Sequence, residues 1–372
     1  MKTLVIKLGI FGLRFIYFFL KLFPQKKRIV MLSRESDSLP IDFLLLSREL
    51  KETLPEYEVV TLCELLSSKD VSVLKTAVYT LKSMVLLSSA QYCVIDTYNV
   101  AVSVLKHRKN FHVMQIWHAL GGLKEFGLMS LGKEGGHDKK TAELLCMHKN
   151  YDTVCAASHC AAELYEKAFG CKKENIEIIG MPRIDYILDG GSEKKLRVKE
   201  IKEKYPVLSN GKKNILYAPT FRADGGFFID EILDTVDFSK YNLCIKIHDV
   251  DKKHSLSENA VNIESSLFNI FPLADYIITD YSASACEAAL TKKPLFFYTY
   301  DIDGYKKERG LFIDPLKEYP SISSKSFKDI YAIIDGGNYD FEALGSFLNR
   351  TVETADTCNT KRIANKIRES LK

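Results

Sequence analysis

The sequence predicts an α/β protein: two Rossmann-like domains in tandem, facing a cleft, behind an N-terminal amphipathic helix. Three observations carry this. Short apolar runs alternate with amphipathic stretches along most of the 372 residues, the pattern of parallel strands covered by helices on both faces. The alternation breaks once, at a polar segment, and then restarts. The first 28 residues place all their charge in a single stripe.

The N-terminal segment comes first. Residues 1–28 carry Lys2, Lys7, Arg14, Lys21, Lys26, Lys27 and Arg28 and no acidic residue. That leaves 45 of the 52 basic residues against 48 acidic ones in the rest of the chain. The body is near charge balance, so the net charge of +4 speaks against a nucleic-acid-binding body. Within TLVIKLGIFGLRFIYFFLKLF (3–23), Lys7, Arg14 and Lys21 are spaced by seven. On a helix that spacing turns about 700°, some 20° short of two turns. The cations share one narrow stripe and the remaining surface is apolar. This suits a helix lying in a bilayer interface with its cations toward anionic headgroups. A spanning anchor has enough length, but Arg14 at mid-bilayer costs about 2.5–3.5 kcal/mol. A helix packed on the protein is the third reading. The charges within the apolar run argue against a cleaved signal peptide. If the helix spanned, Lys26-Lys27-Arg28 would favour keeping the following domain on the cytoplasmic side.

The body reads as follows. RIVMLS (28–33), YEVVTL (57–62), YCVIDT (92–97), HVMQIWH (112–118), TVCAAS (153–158) and IEIIG (176–180) are strand candidates. Helices are expected near 41–53 and over 74–90. DGGSEKKLRVKEIKEKYPVLSNGKK (189–213) reads as an interdomain linker with one solvated helix. NILYAPT (214–220), YNLCIKIH (241–248), ADYIITD (274–280) and PLFFYTY (294–300) restart the strands, with a helix over 284–292. The expected domains are 1–28, 29–190 and 191–345, followed by a C-terminal helix in 346–372. Nine cysteines with no CxxC pair, set among apolar residues, fit buried thiols in a reducing compartment better than a disulfide framework.

The candidate chemistry clusters at predicted strand ends, where α/β sheets bind ligands. His118 ends HVMQIWH and precedes Gly121, Gly122 and Lys124. The paired glycines permit a tight turn with backbone N–H groups near a ligand. A histidine there suits proton removal near neutral pH; a strand-end histidine without a ligand is the plainer reading. Lys246 and His248, two apart, point to one face of their strand. They suit a diphosphate, or else pair with Asp249 or Asp251. Thr220 and Arg222 end NILYAPT, and Arg222 is a phosphate clamp or a surface ion pair. Asp280, Ser282 and Ser284 open a helix containing Glu287. The serines could cap it, leaving its N–H groups for a phosphate. Asp301-Ile302-Asp303 reads as a turn rather than a metal-binding pair. No phosphate-binding GxxxxGK[ST] loop, HExxH or GxSxG motif is present. No cofactor is implied, and a divalent cation is left open.

Taken together, QIWHALGGLKEFG (115–127), HKNYDTVCAASHCAAELYEKAFG (148–170), IIGMPRIDYILD (178–189), ILYAPTFR (215–222), IKIH (245–248) and ADYIITDYSASACEAALTKKPLFFYTYDIDGYKKERG (274–310) resemble the CDP-glycerol glycerophosphotransferase family of teichoic-acid and capsule synthesis. The last segment is the most specific. The resemblance implies a two-domain GT-B-like fold with CDP-glycerol or CDP-ribitol as donor. It implies an undecaprenyl-diphosphate-linked saccharide as acceptor and peripheral attachment to the anionic cytoplasmic face of the membrane. It makes His118 and His248 the functional histidines. It places Arg183, Tyr305 and Arg309 near the site with no role assigned, and lets Asp280 hold a histidine or the donor ribose. WHALGGLK is closer to the primase branch (TagB-like) than to the polymerases, and the long extra N-terminal domain of many polymerases is missing. A nucleotide-sugar glycosyltransferase on the same fold and a non-catalytic membrane-attached scaffold are the alternatives.

Overall fold

The computed structural model describes residues 2–66, 71–133, 136–220, 228–246 and 260–372. Two compact units emerge. The first comprises residues 1–120, 125–186 and 356–372, the second 121–124 and 187–355.

The first unit opens with α1 (Lys2–Leu20), β1 (Arg28–Ser33), α2 (Ile41–Thr53), β2 (Glu58–Cys63), α3 (Val73–Ser89) and β3 (Tyr92–Ile95). It continues with α4 (Val100–Val104), β4 (His112–Gln115), α5 (Lys139–Leu144), β5 (Thr153–Ala156), α6 (His159–Phe169), β6 (Ile176–Ile178) and the start of α7 (Pro182–Leu188). Its sheet is parallel, in the order β2-β1-β3-β4-β5-β6. Ile29, Val30, Met31 and Leu32 of β1 are all buried, as continuous apolar runs must be when both faces are covered. Local chemistry sets the helix ends. Ser72 and Ser158 accept hydrogen bonds from Lys75 N and Ala161 N, and α6 stops at Gly170 in the left-handed region, φ 56°.

The second unit contains α8 (Ser192–Lys204), β7 (Lys213–Ala218), α9 (Ile229–Thr235), β8 (Tyr241–Ile245), β9 (Ala260–Asn262), α10 (Leu267–Ile270), β10 (Tyr276–Thr279) and α11 (Ser284–Ala289). It ends with β11 (Leu295–Tyr298), α12 (Ile302–Glu308), α13 (Pro315–Glu318), β12 (Ser323–Ser324), α14 (Phe327–Gly336) and α15 (Phe341–Thr351). The parallel order is β12-β11-β10-β7-β8-β9. The chain then returns to the first unit as α16 (Asn359–Ser370), whose Ile363, Ala364 and Ile367 share a core with Phe43, Leu46 and Leu50 of α2. The stretch 346–372, expected as one C-terminal helix, thus holds the end of α15 in one unit and α16 in the other.

Two features depart from the sequence reading. β4 ends at Gln115, three residues before His118, because Trp117 adopts φ 56° and turns the chain out of the sheet. The stripe on α1 is not free to face headgroups along its whole length. Arg14 Nε donates to Val104 O at 2.9 Å and Lys21 Nζ to Lys106 O at 2.7 Å, while Tyr17 OH bonds His107 Nδ1 at 3.0 Å. Carbonyls at the end of α4 lack helical partners, and these side chains supply them. Of the nine cysteines none forms a disulfide among the described residues, and Cys93, Cys155, Cys244 and Cys286 are buried while Cys358 is exposed.

Candidate active site

In each sheet the strand order reverses once: between β1 and β3 in the first unit, and between β7 and β10 in the second. The loops after these strands flank the place where doubly wound sheets bind ligands.

In the first unit the β3 loop begins at Asp96, and the neighbouring β4 loop carries His118. His118 Nδ1 lies 3.0 Å from the Asp96 carbonyl oxygen. A carbonyl only accepts, so Nδ1–H donates in this bond, and in the neutral ring Nε2 is then the acceptor nitrogen. The backbone just before His118 is held firmly. Gln115 Oε1 accepts from Trp117 N at 2.8 Å, and Gln115 Nε2 donates to Thr97 O at 3.2 Å. The Trp117 ring stacks on Phe126 at 4.8 Å and lies 4.1 Å from the His118 ring. The His118 carbonyl accepts from Arg183 Nη1 at 2.6 Å, and Asp42 grips that guanidinium through Nε at 3.0 Å and Nη2 at 2.6 Å. Burial raises the Asp96 carboxyl to about 7, against hydrogen bonds from Ser33 and Thr97 that lower it. Behind Trp117, burial drives His148 down to about 3. The sequence reading missed Asp42, Asp96 and His148. In the sequence Asp42 stands out only as an acid in the first turn of an apolar helix.

Gly121 and Gly122 are buried, and neither is left-handed. The turn conformation falls instead on Gly127 at φ 58°, where a Cβ would strike the Ala168 carbonyl. Residues 121–124 belong to the second unit. There Leu123 O accepts from Phe312 N at 2.7 Å and Ile313 N at 3.1 Å, and Lys124 bridges Leu311.

In the second unit Asp280 laces the two strand ends together. Its carboxylate accepts from Thr220 N at 2.9 Å, Thr220 Oγ1 at 2.5 Å and Tyr281 N at 2.6 Å. It is fully buried, so its place is beneath the loop. Ser282 Oγ accepts from Ser284 N at 3.3 Å and Ser284 Oγ at 2.8 Å, and Glu287 is buried within α11. Tyr305 stacks on Tyr281 at 4.2 Å, and Tyr281 OH donates to Asp301 at 3.0 Å. Asp303 instead pairs with Lys325 at 2.7 Å. Arg309 Nε contacts Glu308 at 3.2 Å. Lys246 Nζ donates to Glu264 O at 2.9 Å. Arg222 and His248 lie outside the described residues. Among the described residues no group of three or more His, Cys, Asp or Glu is disposed to hold a metal ion.

The family model described as CDP-Glycerol:Poly(glycerophosphate) glycerophosphotransferase matches residues 15–369. The chain belongs to this family. The motif resemblance is thereby established over nearly the full length. A teichoic acid poly(ribitol-phosphate) polymerase of Bacillus spizizenii is 31% identical over 73% of this chain and 46% of its own length. A teichoic acid ribitol-phosphate primase of the same organism is 26% identical over 98% and 97%. A teichoic acid glycerol-phosphate primase of Bacillus subtilis is 31% identical over 66% and 65%. The chain spans about half the length of the ribitol-phosphate polymerases it matches. Among solved structures, a wall teichoic acid polymerase TagF superposes with TM-score 0.77 at 19% identity, covering 100% of this chain and 98% of that one. A UDP-GlcNAc 2-epimerase from Neisseria meningitidis gives 0.62 at 13% identity, over 93% and 100%. At these identities the two likenesses show the fold alone.

Proposed function

We propose that this protein transfers glycerol phosphate, or a similar polyol phosphate such as ribitol phosphate, from the CDP-activated polyol to a hydroxyl of a saccharide carried on undecaprenyl diphosphate, releasing CMP. The observation that carries the reading is the fixed tautomer of His118. Its Nδ1–H is tied to Asp96 O, which in the neutral ring leaves Nε2 as the proton-accepting nitrogen, on a strand-end loop in a member of this family. Nε2 takes the proton of the acceptor hydroxyl as its oxygen bonds to the phosphorus bearing the polyol. The bond from that phosphorus to the CMP oxygen breaks, and CMP departs with the electron pair. Lys246, His248, Arg222 and the Ser282–Ser284 turn are assigned to the donor diphosphate, with Thr220 and Asp280 shaping the loop. Glu287, Tyr305 and Arg309 support that side. The GT-B-like assignment of the fold is part of this proposal. Positioning and charge neutralisation supply most of the acceleration in such transfers. The WHALGGLK form of the first motif supports a primase.

The proposed location is the cytoplasmic face of the membrane, through α1. Leu8, Phe11, Phe15, Phe18 and Phe19 are exposed, and α1 packs beside α3, which exposes Val73, Leu74 and Val85. The window Thr3–Leu20 is long and apolar enough to span, and only 11% of it is buried. The bonds from Arg14, Tyr17 and Lys21 lay it along the domain, which favours an interfacial helix.

The mass of the product from CDP-glycerol, CDP-ribitol or UDP-sugars with a lipid-diphosphate disaccharide tests the reaction. CMP release with a mass gain of one polyol phosphate is expected, and UDP release without CMP overturns it. His118→Ala should lower turnover about 10²–10⁴-fold with unchanged melting; unchanged turnover would favour the scaffold. Phe11→Asp with Phe15→Asp should release the folded protein from anionic vesicles. Continued binding would remove α1 from the attachment site.

A further inference from the structure

We propose that the buried Asp42–Arg183 pair is the positioning element of His118, an inference that rests on His118 being the base. Asp42 sits in the first turn of α2 and Arg183 in the first turn of α7, 141 residues apart. Both are nearly inaccessible, at 2% and 8% exposure. Asp42 Oδ1 accepts from Arg183 N at 2.8 Å, and Oδ2 accepts from Nε and Nη2 at 3.0 and 2.6 Å. These bonds leave the rigid guanidinium one orientation, in which Nη1 donates to the His118 carbonyl oxygen at 2.6 Å.

The imidazole is thereby fixed from two sides: through its main chain by Arg183, and through Nδ1 by Asp96 O. The first hold matters because the preceding residue is strained. A side chain as large as Trp117 in the left-handed region, at φ 56°, costs about 1–2 kcal/mol. Such a turn persists only when its surroundings over-determine it. A charge-assisted bond to the next carbonyl is a strong constraint of that kind.

Stability alone is a poor account of the pair. Desolvating two charges offsets most of their attraction, and apolar replacements of buried pairs are often neutral or stabilising. What an apolar pair could not supply is a donor fixed in plane beside the His118 carbonyl. Nor could lysine, whose ammonium has three donors on one nitrogen but lacks the planar fork that aims separate N–H groups at Asp42 and at the carbonyl.

The test uses full-length enzyme with CDP-glycerol and a lipid-diphosphate disaccharide. Arg183→Lys and Asp42→Asn should melt within a few degrees of wild type and keep both KM values within about two-fold. Their kcat should fall at least about ten-fold, since small misplacements of a reacting group cost up to about 100-fold. In the His118→Ala background, Arg183→Lys should leave the residual rate unchanged, because its effect passes through the imidazole. Folded variants with wild-type kcat overturn the proposal. So does an equal loss in the His118→Ala background, or loss of folding in both variants, which would assign the pair to stability. If His118→Ala itself retains full turnover, the reading of the reaction fails first, and separately.

Discussion

Asp96 and His148 lie close to the proposed base and respond to burial in opposite directions. Asp96 is raised from 3.8 to about 7. The folded state therefore holds its proton more tightly than the unfolded chain, and stability falls as pH rises from about 4 to 7. His148 is lowered from 6.5 to about 3. Here the unfolded chain binds the extra proton, so stability falls as pH drops below about 6.5. His107 and His112 are lowered as well, by burial first, and act with His148. Between roughly pH 4 and 6.5 the carboxyl and the imidazoles oppose each other. Asp96→Asn should remove one side of the balance. Melting of the variant should decline more steeply than wild type on going from pH 7 to 5. Parallel melting curves for the two proteins would show that Asp96 does not titrate in this range.

Among the elements, α16 shows how far apart cooperating segments lie. Asp185 of α7 accepts from Asn359 N at 2.9 Å and Thr360 N at 2.7 Å, with further bonds from the Asn359 and Thr360 side chains. This satisfies free N–H groups at the start of α16 with a full negative charge, the favourable sign at that end. Asp185→Ala should destabilise the first unit by about 1–2 kcal/mol and raise amide exchange in 359–370 before the rest. Unaltered exchange there would show the cap to be dispensable. Two neighbours in IIGMPRIDYILD therefore do separate tasks: Arg183 steadies the His118 loop, and Asp185 seats a helix from the far end of the chain.

Across the molecule, what could be read from sequence was whatever is local. β1, β7 and β8 were legible because Ile29–Leu32, Ile215–Tyr217 and Leu243–Ile245 are buried on both faces and write continuous apolar runs. β9 and β12 were not, since three and two residues are too short to show a period. The end of β4 was misplaced because the conformation of Trp117 is held by Gln115, Phe126 and Phe169 and not by its own preference. At the site, His118, Thr220 and Asp280 could be picked out as polar residues ending apolar runs. Their partnerships could not. Asp42 meets Arg183 across 141 positions, and Thr220 meets Asp280 across 60; no local pattern encodes either.

The return of the chain to its first unit has a consequence for biosynthesis. While the protein is being translated, residues 1–186 emerge lacking the helix that closes over Phe43, Leu46 and Leu50. The second unit, 187–355, is continuous apart from one short loop and can mature as it leaves the ribosome. The half made first is thus the half completed last, and a nascent chain halted before residue 359 would display a sticky apolar groove to chaperones and proteases.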